Sequence, residues 1–333
     1  MCKVSVVLPV YNVAAHIQDT IESLLRQTFQ DFEILVLDDC STDETVERVR
    51  AFSDPRVRLI LNTRNLGRAG TDNAALHHVK GTYIAKMDGD DICHPERLAR
   101  QVALLDQRPD INVVGSWMQN FGASTYLNRY PKQPEDAQVL TLFTLPTGNP
   151  SVMLRTSLFR KQGMYYNGEL RQTEDYDFFA RYIRQLRVFT LQESLLKYRV
   201  PPNVRKKDIL SERATVSDEV REQLLRSWGV PFTARELQVH NTIAMLERPY
   251  GDVTLAEVDA WLQKLLRYND KQPLFDSAAL RRGLGERWFE VCYTYRQPRL
   301  ISLRHYHRSP LTANFSLTGR KQLKFWLQAL REF

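Results

Sequence analysis

Four short strand-like runs lie in the first part of this chain, the first of them β-branched, and each leads within a few residues to Asn or Asp. Val4–Val10 runs to Asn12, and Phe32–Leu37 runs to Asp38-Asp39. Val57–Leu61 leads to the turn Asn65-Leu66-Gly67, and Tyr83–Met87 leads to Asp88-Gly89-Asp90-Asp91. Helical patterns separate them. Ile17, Ile21, Leu24 and Leu25 repeat at helical spacing, Ser41 or Thr42 is placed to cap a second helix reaching about Phe52, and residues 70–80 predict a third. Strands that alternate with helices need crossover connections. The expected fold is therefore α/β: a Rossmann-like, mostly parallel central sheet with helices on both faces. Such sheets bind ligands beyond the carboxyl ends of their strands, and Asn12, Asp38, Asp39, Asn65, Asp88 and Asp90 all fall on that rim.

The fourth strand ends in three carboxylates within four residues. Like charges this close are costly unless a cation neutralises them. Side chains alternate along extended chain, so Asp88 and Asp90 are expected on one side, with Gly89 letting a ligand approach the backbone. Hard oxygen donors in that arrangement suit Mg²⁺ or Mn²⁺ bridged to a diphosphate.

The bulk composition narrows the class. The 333 residues are 43% hydrophobic and 26% charged, enough for one large or two modest domains. No apolar run approaches the ~18 residues of a membrane-spanning helix, and the N-terminal segment reads as a first core strand instead of a signal peptide. Cys2, Cys40, Cys93 and Cys292 are scattered without a C-x-x-C pair, which predicts neither a disulfide framework nor a zinc site and fits a reducing cytosol. The seven histidines form no metal-binding pattern, and surface or capping roles are expected for all of them.

Beyond the fourth strand, Pro95-Glu96-Arg97-Leu98 starts a helix, Val113–Ser116 predicts a strand, and residues 122–150 predict a loop over the site. Asp175–Arg184 reads as a helix, and Lys197-Tyr198-Arg199 closes a late strand. After about residue 205 the pattern is mostly helical, with Trp228, Leu262, Leu265, Leu266, Trp288 and Trp326 on expected apolar faces. The expected division is residues 1–205 and a basic region, 206–333. From Arg199 onward the chain holds 23 Lys and Arg against 15 Asp and Glu, so this part favours anionic partners.

These motifs resemble the inverting glycosyltransferases of family 2, nucleotide-sugar-dependent enzymes of the GT-A fold. The likeness rests on Val6–Asn12, Asp38-Asp39-x-Ser41-x-Asp43-x-Thr45, Asn65-x-Gly67, Asp88–Asp91, Asn149–Met153 and Glu174-Asp175-Tyr176-Asp177, over about the first 200 residues. The resemblance implies that Pro9, Tyr11, Asn12, Asp39 and Asn65 line a nucleotide pocket. It implies that Asp88 meets the ribose or donor sugar, that Asp90 of the DXD motif coordinates the divalent cation, and that Arg199 contacts the diphosphate. Asp175 then corresponds to the general base that takes the acceptor proton, with Glu174 as its orienting partner. The implied reaction is transfer of a hexose or N-acetylhexosamine, UDP-linked by preference, onto a carbohydrate hydroxyl. The implied setting is bacterial surface polysaccharide or lipooligosaccharide synthesis at the inner face of the cytoplasmic membrane.

Three positions depart from that pattern. Pro201 stands where related sequences carry a His two residues after the Arg, Asn149 stands where many have His, and Thr71-Asp72-Asn73 replaces a common Ala-Arg-Asn. Arg68 is a candidate for the missing charge. Two alternatives remain at this stage. One is a sugar nucleotidyltransferase, which would carry a glycine-rich basic signature near its first strand. The other is a non-catalytic nucleotide- or glycan-binding module. No nucleic-acid recognition motif is present. Residues 320–330 predict an amphipathic helix with Leu323, Trp326, Leu327 and Leu330 on one face, either docked on the protein or resting on an anionic membrane.

Overall fold

The structure, a computed structural model, describes residues 2–202, 206–246, 248–295, 299–315 and 323–327. The chain forms two compact units. Met1–Ala137 with Leu145–Ser217 make the first, and Gln138–Thr144 with Asp218–Phe333 make the second.

The first unit opens with β1 (Val4–Val10), α1 (Ile17–Leu25), β2 (Phe32–Asp38), α2 (Thr45–Arg50), β3 (Val57–Leu61), α3 (Gly67–Ala75) and β4 (Tyr83–Lys86). There follow β5 (Ile92–Cys93), α4 (Arg97–Gln107), β6 (Val113–Gly122), β7 (Leu127–Asn128) and α5 (Pro134–Leu140). After these come β8 (Met153–Arg155), α6 (Ser157–Arg160), α7 (Glu174–Tyr182) and β9 (Val188–Val200). The nine strands form one sheet ordered β3-β2-β1-β4-β8-β6-β9-β5, with β7 on β6.

The expected parallel arrangement holds for β3-β2-β1-β4. Beyond β4 the sheet is mixed. β8 runs antiparallel to both β4 and β6, and β9 returns parallel to β6. The central strands β1 and β2 are buried almost throughout, as strands covered on both faces require. Pro9 lies past the last β1–β4 pair, Val7 with Lys86, so its missing N–H breaks no bond on that side. Residues 122–150, expected as a loop, contain β7 and α5.

The second unit is helical. Its elements are the C-terminal part of α8 (Lys206–Ser227), from Asp218 on, then α9 (Ala234–Ala244), α10 (Leu255–Lys271), α11 (Ser277–Thr294) and α12 (Arg299–Arg308). Capping boxes start α9 (Thr233 with Glu236) and α10 (Thr254 with Glu257). Trp228, Leu262, Leu265 and Trp288 are buried as expected, but Trp326 is exposed. The expectation of surface histidines fails at His240, which is fully buried. Burial pushes its pKa down to about 3, so it is neutral. Its Nε2 contacts the Leu142 carbonyl at 2.9 Å and its Nδ1 accepts from Trp261 Nε1 at 3.1 Å, which fixes the tautomer. The segment Gln138–Thr144 is held by this histidine and by Arg221, which donates to the Phe143 carbonyl at 3.2 Å. Arg287 lies over the Phe143 ring at 4.7 Å.

Candidate active site

The rim loops after β1 and β2 are locked together. Asn12 adopts a left-handed backbone, φ 52°, as Asn does more readily than most residues. Its N–H donates to Ser41 Oγ at 3.0 Å, and its Oδ1 accepts from the Thr42 N–H at 2.8 Å. Ser41 is thereby committed to Asn12 and does not cap α2, which starts later, at Thr45, with no side-chain cap. Asp43 accepts from the N–H groups of Ala14 and Thr45, both at 3.0 Å. Tyr11 leaves this knot with 51% of its surface exposed, an aromatic face open at the rim.

Asp39 is buried and organises the start of α3. Its carboxylate accepts from the N–H groups of Leu66 (2.7 Å) and Gly67 (2.9 Å) and from Asn62 Nδ2 (2.8 Å). Asn65 completes the turn by donating to the Asp39 carbonyl at 3.0 Å. An anion at this helix end satisfies N–H groups that have no partner within the helix. The next residue is Arg68. Its guanidinium forms ion pairs with Asp88 and with Glu174, the latter at 3.3 Å. One side chain thus joins the acidic end of β4 to the acidic start of α7. Thr173, which precedes Glu174, has φ 68°, a strained backbone for a β-branched residue.

The carboxylate turn is fixed from two sides. Thr20 Oγ1 donates to the Gly89 carbonyl (3.0 Å) and the Asp91 carbonyl (2.8 Å). Arg199 donates its backbone N–H to Asp91 Oδ1 and its Nε to the Asp90 carbonyl, each at 2.8 Å, while its guanidinium lies over Phe121. Gly89 departs from expectation. A Cβ there would stand 2.8 Å from Val10 Cγ1 and 3.2 Å from Val13 Cγ2, so the glycine serves packing against β1 and its loop instead of opening the backbone to a ligand.

Acidic charge exceeds basic charge in this cluster. Burial, then Asp88, raises the Asp90 pKa, and the same two causes push Asp91 up to about 8. Burial, then Asp175, pushes Glu174 up to about 7, against the pull of Arg68. Asp175 is partly exposed; desolvation raises it, while Arg68 and the Tyr176 N–H, 2.8 Å from its Oδ1, favour its charged form. Burial and Asp88 push Tyr198 up to about 12. Asp91 Oδ2 is buried without a hydrogen-bond partner.

The donor chemistry would suit a divalent cation: the oxygens are hard and crowded, one buried carboxylate oxygen lacks a partner, and Arg68 is shared between Asp88 and Glu174. Among the described residues no three His, Cys, Asp or Glu converge to hold an ion alone. The remaining ligands would come from a bound phosphate group and water.

Beneath the cluster, the unusual Asp72 is paired with Lys86, both buried, and Lys86 Nζ lies 5.0 Å from the Tyr166 ring centroid. Asn73 exchanges hydrogen bonds with the Tyr166 backbone at 2.8 and 3.0 Å. Asn149 is buried in a short 3₁₀ turn, and Pro201 is exposed. Arg68 is the candidate the sequence offered for the missing charge, whereas Asp91 is a group to which the sequence assigned no role of its own. Arg68 carried a signal, as the nearest cation to the altered triplet.

Residues 5–165 match the profile of glycosyl transferase family 2. The chain is 34% identical to the putative glycosyltransferase EpsE of Bacillus subtilis over 205 residues, which is 59% of this chain and 73% of EpsE. It is 40% identical over 102 residues, 31% of this chain and 40% of the relative, to Escherichia coli WfgD, a UDP-Glc:alpha-D-GlcNAc-diphosphoundecaprenol beta-1,3-glucosyltransferase. The fold matches S. aureus TarS in complex with UDP-GlcNAc, with a TM-score of 0.59 at 19% identity, over 91% of this chain and 89% of that one. It also matches a Pyrobaculum calidifontis mannosyltransferase in complex with GDP-Man and Mn²⁺, with a TM-score of 0.54 at 20% identity, over 91% and 85% of the two chains.

Proposed function

The chain belongs to glycosyl transferase family 2, and we propose that it moves a hexose or N-acetylhexosamine from a UDP-sugar to a carbohydrate hydroxyl, with inversion and with a divalent cation. The observation that carries this reading is the Arg68 side chain, which touches both Asp88 and Glu174 and so unites the donor motif with the acidic pair. The named ligands of TarS and of the mannosyltransferase, a UDP-sugar and GDP-Man with Mn²⁺, support it.

Each residue then has a task. Tyr11 stacks on the base, and Pro9 and Asn12 shape that wall. Asp39 and Asn65 hold the start of α3, and the Asp39 carboxylate, with three of its roughly four acceptor sites engaged, offers the remaining one to the nucleoside. Asp88 meets the ribose or sugar, and Asp90 is the cation ligand. A cation held there by Asp90 would supply positive charge to offset the negative charge developing on the leaving diphosphate. Arg199 fixes the turn that carries Asp90 and adds positive charge for the phosphates. Asp175 accepts the proton of the attacking hydroxyl, and its desolvated position makes it a stronger base than a free carboxylate. Glu174, held by Arg68, orients that region. The acceptor is a glycan, and a lipid-linked one, as in the name of WfgD, would bring the protein to a membrane surface.

The test is donor turnover with Mn²⁺. UDP release is expected, with Asp175→Asn binding donor but turning over at least ~100-fold more slowly, and Asp90→Asn losing the Mn²⁺-dependent thermal shift. Release of pyrophosphate, or no thermal shift with any nucleotide sugar, would overturn the assignment.

A further inference from the structure

Between Glu290 and Glu332 the sequence contains no Asp or Glu, yet it holds eight Lys and Arg and two His. Part of this stretch is α12, whose surface separates cleanly. Ser302, Leu303 and Tyr306 face inward. Leu300, Ile301, Arg304, His307 and Arg308 are exposed, and their spacing places them on one helical stripe. The stripe is apolar at one end and cationic at the other.

The helical segment 323–327 extends the same surface. Leu323, Trp326, Leu327 and Leu330 were expected to share one face, but the docked residue is Phe325, packed against Phe289, Tyr293 and Tyr306 with centroids 5.6–5.9 Å away. Residues 320–322 and 328–330 of that expected helix lie outside the described residues. With Phe325 turned inward, Leu323, Lys324, Trp326 and Leu327 stand exposed, Trp326 at 44%. Trp326 packs beside His307 at 5.7 Å, which makes the two segments contiguous. The nearby acidic group, Asp259, is engaged by Ser309 Oγ and Gln263 Nε2.

We propose that α12 and residues 323–327 form a docking face for an anionic lipid bilayer. Exposed aliphatic residues and a Trp beside cations that pair with no acidic group among the described residues match the polar–apolar boundary of a membrane. A nucleic acid would use the cations but would leave Leu300, Ile301, Leu323 and Leu327 in water. Among the described residues no helix is long and apolar enough to cross a membrane, so the contact is with the surface. The inference is independent of the glycosyl-transfer reading.

The test is co-sedimentation of the full chain with vesicles of phosphatidylcholine alone and of equal parts phosphatidylcholine and phosphatidylglycerol. Binding is expected only to the anionic vesicles, weakening with salt, with a blue shift in tryptophan emission that Trp326→Phe reduces. Arg304→Glu with Arg308→Glu should weaken binding roughly tenfold or more. Trp326→Ser with Leu327→Ser should do likewise, and both pairs should leave donor hydrolysis and the thermal midpoint unchanged. No binding to anionic vesicles, binding undiminished in both pairs, or displacement of the vesicles by a homopolymeric RNA would overturn the proposal.

Discussion

Arg68 is the side chain on which the site's electrostatics turn. It pairs with Asp88 and Glu174 and favours the charged form of Asp175 as well. Removing the guanidinium makes Glu174 and Asp175 harder to ionise, so their pKa values rise. A general base works only when deprotonated. Arg68→Met should therefore move the acid limb of the pH–kcat/KM profile to higher pH and lower activity at neutral pH by roughly tenfold or more, with Arg68→Lys recovering part of the loss. A profile that loses amplitude without shifting would assign Arg68 a purely structural part. The carboxylates themselves were readable from sequence, because Asp and Asn at the ends of apolar strands have few other reasons to be there. The bridge was not. An Arg in the first turn of a helix ordinarily points to water, and its partners come from β4 and α7, which only the folded chain brings near. Gly89 misled for a related reason, since the atoms that demand a glycine belong to Val10 and Val13 on another element.

At the scale of elements, the first four strands and the starts of α1, α4 and α7 were legible, but the start of α3 was not. Residues 70–80 were expected as a helix, yet α3 spans Gly67–Ala75. Its first N–H groups are satisfied by Asp39 from the end of β2, so the cap is remote in sequence and local capping rules miss it. The same helix is tied to β4 by the buried Asp72–Lys86 pair. Breaking a buried pair strands a charge, whereas replacing both partners with apolar groups removes the need for one. Lys86→Met alone should cost about 3–5 kcal/mol. Asp72→Leu combined with Lys86→Met should lie within about 1–2 kcal/mol of the unaltered protein. Denaturant titration of the two singles and the double measures this coupling. If the double is as unstable as the singles together, the pair is not the unit that joins α3 to β4.

At the scale of the molecule, the composition shift near residue 205 foretold a second, basic, helical part, but the division runs differently. It falls at Ser217, and the second unit also takes Gln138–Thr144 from the middle of the first. Nothing in those seven residues marks them as foreign, because their apolar side chains would suit either core. In the second unit Val139, Leu142 and Phe143 are buried, and the Leu142 and Phe143 carbonyls meet His240 and Arg221. A chain cut after Ser217 would keep these residues and lose what covers them. Each such side chain gives up about 1.5–3 kcal/mol of burial when exposed, and together they form an adhesive surface patch. The fragment 1–217 should therefore bind hydrophobic dye and aggregate, and Val139→Ser, Leu142→Ser and Phe143→Ser together should restore its solubility. In the full chain the same three changes should lower the unfolding midpoint, since there they empty a core. A fragment 1–217 that is soluble and dye-free without them would mean that the crossing segment has an alternative home in the first unit.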